Sequence, residues 1–139
     1  MAVAVVTPRV RTIVICDNVI ASRTEAGVFT LKGVRQHLEV ASYPWRAAIR
    51  LFLLLSSPRK GKFSGKILLV NERTDRPIRY VKFFATFSEN NELLPLYVDV
   101  GDCLFPEEGQ YIFEIYFSAR SGEEALKGEH PFTVLSHSE

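Results

Sequence analysis

Between Gly109 and Ser118 the chain reads GQYIFEIYFS, with Tyr111, Phe113, Ile115 and Phe117 at every second position. Gln110, Glu114 and Ser118 fall on the opposite face, with Ile112 and Tyr116 among them. A period of two with large apolar residues on one side predicts a strand of a sheet packed mainly on that side. The mixed composition of the other side places it inside the sheet and away from the edges. Phe105-Pro-Glu-Glu-Gly109 precedes it as a turn, with Pro106 to start the bend and Gly109 to accept a positive φ. The polar Ser121-Gly-Glu-Glu and the apolar run from Pro131 to Leu135 then predict a closing antiparallel hairpin.

The same reading extends along the rest of the chain. Val10 to Ala21 is rich in β-branched residues and predicts a strand, with a bulge or bend at Asp17 and Asn18. Between Leu31 and Ala41 two periods compete: Leu31, Val34, Leu38 and Ala41 fit a helical stripe, while Phe29 and Leu31, then Leu38 and Val40, fit two short strands broken at Gly33. Strand is preferred, because an interior glycine weakens a helix by about 1 kcal/mol and is tolerated in a sheet as a bulge. Pro44 places Tyr43 and Trp45 in a loop. RAAIRLFLLLSS, from Arg46 to Ser57, has the length of a buried strand, and Phe63 to Val70 is its partner. Ile78 to Phe87 is another strand that changes face near Tyr80 and Val81, and Leu93 to Val100 is the next.

About eight strands separated by turn signals predict an all-β fold, an antiparallel immunoglobulin-like β-sandwich. Residues 1–139 form one domain, with poorly ordered tails at 1–9 and 136–139. The expected core centres on Tyr111, Phe113, Ile115 and Phe117, covered by Leu53, Ile67, Phe84 and Phe132.

Composition narrows this picture. A chain of 139 residues with 47% hydrophobic content buries enough surface to fold without a staple. Cys16 and Cys103 are too few for a disulfide framework and lack a paired zinc spacing, so both are expected reduced and buried. The apolar start is short and is followed by Pro8, Arg9 and Arg11, unlike a secretory signal, and Arg50 interrupts the most apolar segment. The expected localisation is cytoplasmic, with no membrane contact. Net charge is +1, yet residues 1–82 hold 15 Lys and Arg against 5 Asp and Glu, while residues 83–139 hold 2 against 11. Two explanations stay open: the two parts interleave and neutralise one another, or the molecule has a basic and an acidic pole.

Cys16-Asp17, Glu25-Ala-Gly27, Leu31-Lys-Gly33-Val34 and Tyr43-Pro44, ahead of a run of strands, resemble the opening of a family of small bacterial proteins grouped as a domain of unknown function. The ending, GQYIFEIYF to PFTV, resembles the last two strands of immunoglobulin-like domains. The resemblance implies a β-sandwich and brings no activity and no functional residues.

Chemistry is sparse. His37, His130 and His137 lie in unpromising positions for a general base, and no nucleophile elbow, zinc-protease motif or phosphate-cradling glycine loop is present. Asp99, Asp102, Glu107 and Glu108 crowd the connection around Gly101 as calcium-type oxygen ligands. Their spacing matches no specific loop pattern, so an acidic solvated turn is preferred and no metal or cofactor is expected. Arg59, Lys60, Lys62 and Lys66 form a basic hairpin suited to contact with an acidic partner. Nucleic acid is not expected, because binding it calls for exposed aromatics beside the charge and Phe63, the aromatic within the hairpin, reads as core. The function expected is a non-catalytic binding or structural module that meets another protein, or its own copies, through charged faces. The alternative is a small hydrolase or ligand-binding barrel with an internal site.

Overall fold

The computed structural model describes residues 7–119 and 122–137. Its strands are β1 (Arg9–Cys16), β2 (Asn18–Ala21), β3 (Phe29–Lys32), β4 (His37–Val40), β5 (Trp45–Ser57), β6 (Gly61–Asn71), β7 (Arg76–Phe87), β8 (Glu92–Phe105), β9 (Gly109–Ser118) and β10 (Glu124–Ser136). They form a three-stranded sheet in the order β1-β5-β8, a five-stranded sheet in the order β4-β10-β9-β6-β7, and the β2-β3 hairpin. The all-β sandwich expected from the alternation is present, with β9 as an inner strand between β10 and β6. Among the described residues no helix is long and apolar enough to cross a membrane.

Ten strands replace the expected eight, and local hydrogen bonding explains the main division. At Asp17 the backbone N–H donates to the carbonyls of Lys32 and Gly33 at 2.9 and 3.2 Å, which separates β1 from β2 and directs the chain into the β2-β3 hairpin. Phe29 to Val40 supplies two strands, as preferred over a helix, broken at Gly33 with its φ of 66°. Its second strand, β4, pairs with β10 in parallel, so the sheet is not wholly antiparallel. Trp45 begins β5 instead of lying in a loop.

The connection expected after Val100 is also strand. Gly101, at φ 78°, sits at a bulge opposite Ile49 and Arg50, and β8 resumes through Asp102 to Phe105. Only glycine takes such a conformation without strain, so the bulge bends the strand without ending it. At the two ends, Thr7 and Pro8 are buried and Ser136 still belongs to β10, so the tail expectation is corrected for these residues. Residues 1–6 and 138–139 lie outside the described residues.

The inner faces of the two sheets meet over the expected core, although β5 and β6, expected as paired neighbours, lie in different sheets. Tyr111, Phe113, Ile115 and Phe117 are all fully buried, as are Leu53, Ile67 and Phe132 to within 1%. Each such side chain contributes on the order of 1.5–3 kcal/mol through burial. Edge-on aromatic contacts join the strands, Phe105 against Tyr111 at 5.0 Å and Phe83 against Phe117 at 5.5 Å. Gly65 makes the second contact possible, since a Cβ there would fall within the Phe83 ring.

Phe84 departs from the expected core and is 58% exposed. Phe83 and Phe84 are adjacent in a strand, so only one can face inward. The phase is set by Val81, Phe83, Ala85 and Phe87, all packed into or against the core. Ile78 packs there too, so the face changes between Ile78 and Val81, where the register against Leu69 and Val70 slips.

Candidate binding face

Alternation in β6, β7 and β9 assembles a surface that no one segment carries. With Phe63, Ile67 and Leu69 turned to the core, Lys62, Ser64, Lys66 and Leu68 point outward. The phase of β7 turns Tyr80, Lys82 and Phe84 outward on the neighbouring strand. Register then sets Phe84 opposite Ser64, Lys82 opposite Lys66 and Tyr80 opposite Leu68. On the other side of β6, Tyr116 of β9 stands opposite Lys66.

The lysines rest on the aromatic rings. Lys62 Nζ lies 4.4 Å from the Phe84 ring centre, and Lys66 Nζ lies 4.8 Å from that of Tyr116 and 5.9 Å from that of Tyr80. Such contacts contribute about 0.5–1 kcal/mol each at exposed sites and let the apolar stems cover ring surface. Lys66 also meets the Glu124 carboxylate. Among the described residues Lys62 and Lys82 have no carboxylate within ion-pair reach. Lys66 and Lys82 are opposite in the register, and Glu124 neutralises the first of them. Beyond Tyr116 the face turns acidic, with Glu114 opposite Glu129. Burial, together with the hydrogen bond its hydroxyl donates to Glu114 at 3.0 Å, raises the pKa of the Tyr116 phenol.

The basic hairpin foreseen from sequence is thereby divided. Lys62 and Lys66 belong to this face, whereas Arg59 and Lys60 occupy the β5–β6 turn at its end. There the Arg59 N–H donates to Ser57 Oγ at 3.2 Å, the Ser57 hydroxyl to the Arg59 carbonyl at 2.7 Å, and the Lys60 N–H to Asn90 Oδ1 at 2.9 Å. Arg46 and Arg50 do not extend it, because they lie on β5 in the other sheet. Tyr80, Lys82, Phe84 and Tyr116 were not foreseen as partners of the hairpin. The signal for three of them was present at positions i, i+2 and i+4 of β7, once Phe83 and not Phe84 is taken as inward.

The acidic residues weighed and set aside as calcium ligands are not brought together. Asp99 accepts the Gly101 N–H at 2.9 Å and lies 3.8 Å from Arg50, while Asp102 is exposed further along β8. Glu107, in the β8–β9 turn, takes both Arg73 Nε at 2.6 Å and Asn71 Nδ2 at 3.0 Å, and these bonds hold its carboxyl below the ordinary range. Glu108 accepts the Ser136 N–H at 3.1 Å. Among the described residues no three His, Cys, Asp or Glu side chains form a metal-holding group. Arg50–Asp99, Lys66–Glu124 and Arg73–Glu107 each join the basic first part of the chain to the acidic second part, neutralising some of the asymmetry within the fold.

Other chemistry is dispersed. His37 lies 4.0 Å and His137 3.8 Å from Glu39, and His130 Nδ1 is 2.8 Å from the Pro131 carbonyl oxygen. Both cysteines are free and buried, and burial pushes the Cys103 thiol up to about 12. A cleft of about 330 Å³ lies at one end of the sandwich, with Ile15, Leu38, Ile49 and Phe132 among its lining and Asp17 and Arg35 beside them. Arg35 holds the Asp17 carboxylate through two bonds of 2.7 and 2.8 Å, so the charges of this pair satisfy each other.

No family model and no curated protein matches the sequence. Among solved structures, the crystal structure of CopC from Methylosinus trichosporium OB3b aligns over 76% of this chain and 89% of its own, at 17% identity and a TM-score of 0.35. A likeness of that degree transfers no site to this chain, so function has to be argued from side chains.

Proposed function

We propose that the protein is a non-catalytic binding module that engages an anionic macromolecule through the outer face of its five-stranded sheet. The observation that carries this reading is Phe84, 58% exposed among outward-facing lysines, with Lys62 over its ring and Lys82 two residues before it on the same strand. An exposed aromatic ring beside two cations that have no carboxylate partner among the described residues offers an anionic ligand both charge and an apolar contact. The cleft beside Ile15 and Phe132 carries only the mutually paired Asp17 and Arg35 as charged groups besides Arg50, which favours a surface site over the internal site of a hydrolase or ligand-binding barrel.

Retention on heparin tests the reading, since a chain of net charge +1 is held only by a localised cationic surface. Wild type is expected to elute above about 0.2 M salt, and Lys62→Glu/Lys82→Glu to pass unretained with its melting temperature unchanged. Arg59→Glu/Lys60→Glu serves as the control in the adjoining turn. Equal elution of wild type and the Lys62→Glu/Lys82→Glu variant contradicts the proposal.

A further inference from the structure

We infer that the macromolecule bound on this face is single-stranded nucleic acid, an inference that rests on the reading of the face as an anion-binding surface. Sequence alone argues against it, because Phe63 is the aromatic within the basic hairpin and packs against the core, edge-on to Phe87. The sheet register removes that objection. Phe84 and Tyr80 come from the neighbouring strand and Tyr116 from the strand on the other side, so rings from β7 and β9 flank the lysines of β6. Tyr80 and Phe84 are 48% and 58% exposed, enough to offer ring faces to a ligand.

The pairing of rings with cations selects the class of anion. A single strand alternates flat base faces with phosphates, matching rings and ammonium groups in turn. A duplex keeps its base faces stacked inside, and an acidic protein surface has carboxylates without repeated ring faces. In the free protein the rings are occupied by the lysines themselves, Lys62 on Phe84 and Lys66 on Tyr116 and Tyr80. Binding exchanges partners at Phe84: a base takes the ring and the displaced Lys62 ammonium takes a phosphate, with Lys82 beside it on the same strand. Glu114, Glu124 and Glu129 line the β9–β10 side and repel phosphates, which confines the strand to a path over β6 and β7. Recognition by ring faces and charge is tolerant of sequence.

Fluorescence anisotropy with labelled oligothymidylate of about 15 nucleotides is the test. The whole protein is titrated at about 50 mM salt and then at rising salt, with polyglutamate and a DNA duplex run in parallel. Contact by Lys62 and Lys82 predicts a slope of log K against log salt of about −1.4. Phe84→Ala is expected to weaken binding about tenfold, the loss of one stacked base, without lowering the melting temperature. Lys82→Glu is expected to flatten the slope by about 0.7 or more. Binding of polyglutamate but not oligothymidylate overturns the nucleic-acid assignment and leaves the anion-binding module standing. Binding of neither overturns both. Oligothymidylate binding that survives both Phe84→Ala and Lys82→Glu unchanged places the strand elsewhere and overturns the assignment to this face.

Discussion

The outer faces of the two sheets are built by the same alternation and end in different states. On the three-stranded sheet Phe52 stands opposite Val14 and Tyr97, with Leu54 opposite Pro95 on the same face. The β2-β3 hairpin reaches this apolar surface, bringing Phe29 to 5.5 Å from Phe52. On the five-stranded sheet the outward residues are Lys62, Lys66, Lys82, Tyr80, Phe84 and Tyr116, and Phe84 remains more than half exposed. The hairpin covers this face around Phe52, while Tyr97 and Leu93 further along it stay 49% and 61% exposed. Aromatic rings capped by lysines tolerate water without such a cover, so this second face stays open.

The largest expected effect sets the scale for that comparison, because it lies between the sheets and belongs to neither outer face. Phe113→Ala should cost on the order of 3–5 kcal/mol in chemical denaturation, from lost burial and the cavity left beside Phe132. A loss below about 1 kcal/mol would contradict the placement of β9 at the centre. Gly65→Ala should cost about 1–3 kcal/mol, since the added methyl displaces Phe83 from its contact with Phe117.

The comparison itself is tested by two exposed-strand phenylalanines treated alike. Phe29→Ala should destabilise by about 1 kcal/mol, because it uncovers Phe52 and loses an aromatic pair, while Phe84→Ala should stay within about 0.5 kcal/mol of wild type. Equal losses at both positions would remove the distinction between a covered and an open face.

The smallest effect concerns acid. Arg35 bonded to Asp17 holds that carboxyl below its ordinary range, and Arg73 with Asn71 does the same for Glu107. A lowered folded-state pKa means the unfolded chain takes up the proton first as pH falls. The stabilisation is therefore complete above the unfolded pKa, about 4, and is lost as pH drops through the lower folded value. Melting temperatures between about pH 5 and 2 should fall less steeply for Asp17→Asn than for wild type. Parallel curves for the two proteins would show that the pair contributes nothing.

The interior was more legible in the sequence than the surface. Tyr111, Phe113, Ile115 and Phe117 announce their face because the polar residues between them leave one phase, and the hairpin to Phe132 follows from the turn after Ser118. In β7 both phases carry a phenylalanine, so only the neighbours Val81, Ala85 and Phe87 decide that Phe83 is inside. The candidate face was half legible: Lys62 and Lys66 stood out as a charged run, while Lys82 and the rings join them through cross-strand register, a property of pairing that local sequence does not encode. Arg59 and Lys60 adjoin the two lysines in sequence yet lie in the turn, because charge density marks a segment without marking which face of a strand each residue takes. The acidic residues show the same limit, since Asp99 and Asp102, expected around a connection, sit within β8 and only Glu107 and Glu108 lie in the turn.

Amide chemical-shift mapping tests the central claim most directly. Polyglutamate and oligothymidylate are each added to the isotope-labelled protein at low salt. The structure predicts perturbations concentrated at Lys62, Ser64, Lys66, Tyr80, Lys82 and Phe84, with Phe29, Phe52 and Tyr97 unmoved. Shifts confined to the Arg59–Lys60 turn or to the three-stranded sheet, with β6 and β7 unchanged, would contradict it.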